Sequence, residues 1–271
     1  MPLSPQELDS LRPPLLEGLR TLQAAWDSPT RPGAGAGAEE NVTGPDAAQG
    51  EARVPFGWPL EPETLTERLL AYTAELFRFN EKLGLVGSEP REFVQAHLLD
   101  SLAPIGVLPE SSRARFLRGA AALDVGSGAG LPGIPLALSF PELKMTLLDR
   151  SGRRCGFLRN AVAILGRRDI EVFPGTVREA RPSLAGSAEL LLARAFHPLG
   201  VGVYEHLDCL LAAGGEMLLY KGRLEQAEEE LSRLREELQE QGREPPEALL
   251  RKVEVPALSR ERSVLVLRRS V

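Results

Sequence analysis

The feature that most constrains this chain is a short apolar run that enters a glycine cluster and leaves it apolar again. It reads Leu123-Asp124-Val125-Gly126-Ser127-Gly128-Ala129-Gly130, followed by Leu131-Pro132-Gly133-Ile134-Pro135. Glycine at every second position lets the backbone reverse sharply and lets a ligand approach the main chain with no Cβ in the way. A strand, a glycine turn and a helix in that order open a doubly wound α/β sheet. Ligands of such sheets lie outside the carboxyl ends of the strands, beside that first turn.

The rest of the chain supplies the required alternation. Strands are expected over 120–125, 144–149, 170–173, 190–193 and 215–220, with helices over 132–140, 153–165, 197–212 and 224–241. A closing hairpin is expected from 249–255 and 263–267. Strands alternating with helices imply βαβ units and a mainly parallel sheet with helices on both faces. Upstream, Leu65, Leu69, Leu70, Tyr72, Leu76, Phe77 and Phe79 have helical spacing, and a further helix is expected over 92–102 with a short turn over 113–117. At the start, Ser4-Pro5-Gln6-Glu7 reads as a capping box opening a helix that Pro13-Pro14 interrupts or restarts. Between Ser28 and Gly57 the composition turns to Pro, Gly, Ala and Glu, too poor in apolar surface to fold alone, and a flexible insertion is expected there. The resulting division is a helical segment over 1–27, the insertion over 28–57, a helical extension over 58–118 and the main α/β unit over 119–271.

Composition bounds the setting. At 271 residues with 43% hydrophobic and 26% charged residues, the chain reads as an ordinary globular protein. No apolar run approaches the roughly 20 residues that span a bilayer, and the N-terminus lacks a basic signal region. Cys155 and Cys209 stand far apart outside any CxxC pair, so free thiols, a reducing compartment and a cytoplasmic location are expected. With three scattered histidines, no metal site is expected. A net charge of −6 argues against a nucleic-acid partner until its distribution is examined. The segment 223–244 holds eight acidic and four basic residues and so supplies −4 of it. Arginines bunch elsewhere, at Arg113, Arg115 and Arg118, at Arg150, Arg153 and Arg154, and at Arg167 and Arg168. Local field governs phosphate binding more than net charge does, so an RNA partner stays open.

The glycine turn alone admits two cofactors. Gly128-Ala129-Gly130-Leu131-Pro132-Gly133 formally satisfies G-x-G-x-x-G, and Asp149 follows at a spacing suited to a ribose hydroxyl. A dinucleotide, however, brings a pyrophosphate to the turn, where the Asp124 carboxylate would repel it. S-adenosylmethionine offers an ammonium, a sulfonium and a carboxylate instead; Asp124 suits its cationic head, directly or through water, while Asp149 suits the ribose hydroxyls. The plainer alternatives are that Asp124 caps a helix and that Asp149 merely ends a turn.

Several segments taken together are more specific. The runs LDVGSGAGLPGIPLAL, LLDRSGRRCGFL, LLARAFHPL and LLYKG, with Phe79-Asn80-Glu81-Lys82 and His97-Leu98-Leu99-Asp100-Ser101-Leu102 upstream, resemble the bacterial RsmG/GidB family of small-subunit rRNA methyltransferases. The likeness extends from about Glu61 to the C-terminus. It implies a class I methyltransferase fold of seven strands with the last antiparallel, preceded by a helical extension. It also implies methyl transfer from S-adenosylmethionine to N7 of one guanine in a conserved 16S rRNA loop. The partner expected is 16S rRNA, free or within the small subunit, and the chain is expected to act as a monomer.

The family's cofactor contacts fall on Gly126, Leu131, Val177, Arg178 and Arg194, which join Asp124, Gly128 and Asp149 from the residue-level reading. The chain departs from the family pattern at Gly84-Leu85-Val86, where Asn-Leu-Thr is usual, and at Val177-Arg178, where Ala-Glu is usual. A backbone amide contact to adenine survives the second change; an acidic side-chain contact does not.

Guanine N7 carries an in-plane lone pair and no proton, so its methylation needs no general base, and no catalytic side chain is named. Arg194 and Lys221, at successive strand ends, are candidates for rRNA contacts, or they merely offset the acidic site. His97 is read either as a substrate contact or as a packing histidine with a satisfied partner, and His197 and His206 as surface or capping residues. Helix 224–241 reads as an acidic solvated face over an apolar stripe. Other classes are a methyltransferase for protein or small molecules, a nicotinamide-cofactor dehydrogenase, and a non-catalytic RNA-binding domain. The (N/D)PP(Y/F) signature of amino-group methylation does not follow the fourth strand.

Overall fold

The structure, a computed structural model, describes residues 2–27, 58–195 and 198–269. The insertion read over 28–57 and the surface role read for His197 lie outside the described residues. Helix α1 (Pro5–Asp27) opens the chain, and α2 (Pro62–Leu83) and α3 (Pro90–Phe93) follow. The chain continues through a π-helical segment (Val94–Leu99), α4 (Asp100–Leu102), a 3₁₀ turn (Ala103–Val107) and α5 (Glu110–Leu117). The alternating part then runs β1 (Ala121–Val125), α6 (Gly133–Ser139), β2 (Lys144–Asp149), α7 (Gly152–Ile164), β3 (Glu171–Pro174), α8 (Val177–Leu184), β4 (Ala188–Arg194), α9 (Val201–Asp208), β5 (Leu211–Lys221), α10 (Leu224–Glu240), β6 (Glu247–Val253) and β7 (Arg262–Arg268).

One seven-stranded sheet has the order β3-β2-β1-β4-β5-β7-β6. The first five strands are parallel, and β7 inserts antiparallel between β5 and β6. This is the class I methyltransferase arrangement that the resemblance implies, with its helical N-terminal extension. Chain order reverses between β1 and β4, so the switch point where such sheets take ligands lies above β1.

Side chains alternate across the sheet with period two. Ala122, Met145, Leu147, Leu190, Leu192, Val264 and Val266 face one core, which the extension, α6 and α7 cover. Leu123, Val125, Leu148, Leu191, Ala193, Leu265 and Leu267 face the other, beneath α8, α9 and α10. The extension thus shares a continuous core with one face of the sheet. Gly18 allows its close packing, since a Cβ there would stand 2.3 Å from Leu99 Cδ1.

Three local expectations are corrected. Helix α1 runs unbroken through Pro13 and Pro14. Each proline removes a hydrogen-bond donor, but Leu11, Leu15, Leu19 and Leu22 are buried along one stripe, and that packing holds the helix together. The helix read over 197–212 shrinks to α9, and Leu211 already belongs to β5, in register with Ala188. An apolar run such as Leu210-Leu211-Ala212-Ala213 looks alike as helix or strand. The segment read as helix over 92–102 contains the π turn Val94–Leu99, a geometry that often marks functional sites.

Candidate active site

The carboxyl ends of β1, β2 and β3 build one half of the site from nearby residues. Val125 leads into Gly126 (φ +73°), Gly128 (φ +59°) and Gly130 (φ +92°), the left-handed region that favours glycine. The amides of Gly126 and Ser127 donate to Leu148 O at 2.8 and 3.0 Å, which pins the turn onto the end of β2. Gly126 itself is exposed at the rim, whereas Leu131 is buried below the turn.

Asp124 and Asp149 sit beneath this turn, both buried. Asp124 Oδ2 accepts the amide of Gly133, the first residue of α6, at 3.0 Å. The capping alternative is therefore half true. Its Oδ1 is buried without a hydrogen-bond partner. Burial pushes the Asp124 carboxyl up to about 7, against the pull of the Gly133 and Ser127 hydrogen bonds. Gly133 must be glycine, because a Cβ would stand 2.5 Å from Leu147 Cδ2 and 2.7 Å from Asp124 Oδ2. Asp149 Oδ2 accepts Gly128 N at 2.8 Å and its Oδ1 accepts Ser151 N at 2.8 Å, so it ties the turn to the start of α7. Gly175 N donates to Asp149 O at 2.9 Å and brings the start of α8 alongside. There Thr176 and Glu179 form a full capping box, leaving Val177 half-buried and Arg178 exposed. The sequence held that signal, Thr176-Val177-Arg178-Glu179, though no helix was expected there.

The other half stands at the ends of β4, β5 and β7. Arg194 closes β4, with Nη1 at 3.3 Å from Asp100 Oδ2 and Nη2 at 3.0 Å from His97 Nδ1. Arg262, at the start of β7, donates Nε to Asp100 Oδ1 at 2.9 Å. The sequence does not single out Arg262, and Asp100 enters there only within the family-like segment 97–102, with no role assigned. His97 has the satisfied partner expected of a packing histidine and lies 5.3 Å from the Phe93 ring. Burial, then the nearby arginines, push it down to about 4, so it is neutral at pH 7. Lys221 closes β5 and donates to Glu230 at 2.5 Å; Glu230 also accepts the amide of Leu199, and Glu237 that of Val201. Helix α10 is therefore more than a solvated acidic face, because two of its carboxylates hold the β4–α9 connection.

The extension reaches both halves. Tyr72 OH donates to Ala129 O in the glycine turn at 2.5 Å, and Tyr220 OH donates to Ser101 O at 2.8 Å. The turn Gly84-Leu85-Val86 lacks the family's polar residues, yet Asn80 brackets it, donating to Val86 O at 2.9 Å and accepting Val86 N at 2.8 Å.

The arginine groups separate by position. Arg115 and Arg118 contact Gly214 and Glu189 at the opposite edge of the sheet, and Arg167 is paired with Asp169. Arg150, Arg153 and Arg154 border the site and, with Lys82, line an open cavity of about 340 Å³. Among the described residues, no group of three or more His, Cys, Asp or Glu is placed to hold a metal ion, and no helix is long and apolar enough to cross a membrane.

Comparison with known proteins places the sequence. The profile of the GidB family, rRNA small subunit methyltransferase G, matches residues 65–254, which include the π segment, both aspartates, Arg194 and Lys221. The chain belongs to this family. Relatives named ribosomal RNA small subunit methyltransferase G include that of Alkalilimnicola ehrlichii, 40% identical over 64% of this chain and 73% of that protein. That of Chromohalobacter salexigens is 37% identical over 76% of this chain and 89% of that protein. The GidB protein described here is thus a methyltransferase, and the dehydrogenase and binding-module readings fall away.

Proposed function

We propose that this GidB protein transfers a methyl group from S-adenosylmethionine to N7 of one guanine in 16S rRNA, free or within the small ribosomal subunit. It would do so as a cytoplasmic monomer. The observation that carries the cofactor half is the buried Asp124 carboxylate, with one oxygen unpartnered directly below a glycine turn. A buried carboxylate oxygen without a partner is costly, and a cationic ligand relieves that cost.

S-adenosylmethionine, when bound, supplies a methyl group on a positively charged sulfur. Asp124 would hold its ammonium, with Gly126, Gly128 and Leu131 giving main-chain approach. Asp149 keeps unused lone pairs beyond its two amide contacts and would take the ribose hydroxyls. The backbone at Val177 and Arg178 would border the adenine. Across the switch point, Arg194 would stand between the two ligands, bordering the cofactor and facing the rRNA, and His97 and Lys221 would face the rRNA.

Guanine N7 needs no deprotonation, so these residues contribute by positioning rather than by proton transfer. Orienting two reactants can supply roughly 7–11 kcal/mol of a barrier. To test the reading, the protein and labelled S-adenosylmethionine are incubated with unmethylated small subunits and the product is mapped. Label at N7 of a single guanine is expected. Label at another base position, or none on rRNA, would overturn the assignment.

A further inference from the structure

Methylation moves a positive charge from sulfur to the guanine ring, so uncompensated cations beside that ring would oppose the reaction. Three cations nonetheless stand at neighbouring strand ends: Arg194 on β4, Lys221 on β5 and Arg262 on β7, where Lys221 lies in register with Ser263. Lys221 is neutralised by Glu230, and both side chains are only 14% exposed. Arg194 and Arg262 share the single carboxylate of Asp100. Burial raises the Asp100 carboxyl and both guanidiniums oppose that rise. Around them, His97 is neutral, Arg260 is paired with Glu92 at 3.0 Å, and the exposed Glu261 carboxylate accepts Leu224 N. The cluster of His97, Asp100, Arg194 and Arg262 therefore carries one positive charge in excess.

We propose that Arg194 and Arg262, clamped together by Asp100, form a subsite for one phosphodiester of the RNA strand that carries the target guanine. Asp100 is its positioning residue. The inference rests on the RNA reading above. One phosphate would bring the cluster to neutrality, so the base would gain its charge in balanced surroundings. Guanidinium forks match phosphate oxygens in geometry as well as charge. The other usual acceptor for arginine is the O6/N7 edge of guanine, but a fork placed there would cover the atom to be methylated. Both arginine side chains remain reachable, at 15% and 23% exposure, while Asp100 behind them is buried.

The test is filter binding of a small-subunit rRNA fragment over a salt series, without methyl transfer. Asp100→Asn makes the protein more positive by one charge, so long-range attraction alone would tighten RNA binding. Loss of the clamp weakens it instead, on the order of tenfold. Arg262→Lys keeps the charge but loses the fork, and a similar weakening is expected. Arg262→Gln should lower the slope of log K against log salt by about 0.7, the value for one lost single-strand phosphate contact, with S-adenosylmethionine affinity within about twofold of wild type.

Asp100→Glu should restore part of the affinity. Should Asp100→Asn fail to fold, the two Arg262 variants at the rim decide alone. RNA binding as tight as wild type or tighter in Asp100→Asn or Arg262→Lys would overturn the subsite. So would parallel loss of RNA and cofactor affinity in Arg262→Gln. A wild-type protein that binds the RNA but methylates nothing would instead remove the functional reading and leave the subsite standing.

Discussion

The two halves of the site are built on different scales of the chain. Around the glycine turn the decisive contacts are local: Asp124 reaches Gly133 nine residues on, and Asp149 reaches Gly128 across 21. Across the switch point, Asp100 meets Arg194 over 94 residues and Arg262 over 162. The first half centres on two buried carboxylates, Asp124 and Asp149, and on the proposed reading suits a cationic cofactor. The second carries excess positive charge and suits an anionic strand. On the proposed reading, one end of the sheet would hold two ligands of opposite charge side by side, and the helical extension ties both halves down through Tyr72 and Ser101.

The sharpest way to break this comparison is Gly126→Arg. At φ +73° a side chain costs about 1–2 kcal/mol, which an exposed rim position tolerates, so the fold should persist with a slightly lower melting temperature. The arginine would fill the approach to the turn, and S-adenosylmethionine affinity should drop by roughly 100-fold or more, about 2.7 kcal/mol. Retained affinity in calorimetric titration would remove the turn from the site.

A smaller effect comes from pH. Asp124 titrates near 7, so below that value its carboxyl is neutral and no longer attracts an ammonium. Cofactor affinity should therefore rise about tenfold from pH 6 to 8, and Asp124→Asn should flatten the profile. Because the folded value lies above the unfolded one of about 4, the unliganded protein should lose stability as pH rises from about 4 to 7. An unchanged slope in Asp124→Asn would assign the titration to another group.

The smallest effect tests the strut between extension and turn. Tyr72→Phe removes the hydrogen bond to Ala129 O, worth about 1 kcal/mol. Cofactor affinity should fall severalfold while RNA binding stays unchanged. A loss in RNA binding instead would mean that the two halves are less separate than their contacts indicate.

The same difference in scale explains what could be read from sequence. The glycine turn, Asp124 and Asp149 announce themselves because spacing along a strand-turn-helix unit fixes their relation in space. Sheet order and the antiparallel last strand came through resemblance, not periodicity. Asp100 stood in a family-like segment but with no role that its local pattern could assign, and Arg262 looked like one more arginine in Arg260-Glu261-Arg262. Only the packing of the π segment and the start of α4 against the ends of β4 and β7 brings them together, and no local pattern encodes a pairing across 162 residues. The continuity of α1 through Pro13-Pro14 was hidden for the same reason, since tertiary burial outweighs local propensity there.

The separation of the two halves is tested most directly by measuring S-adenosylmethionine and rRNA affinities side by side in Gly126→Arg and Arg262→Gln. The account requires Gly126→Arg to lose the cofactor and keep the RNA, and Arg262→Gln to weaken RNA binding and keep the cofactor. Loss of both ligands in either variant would contradict it.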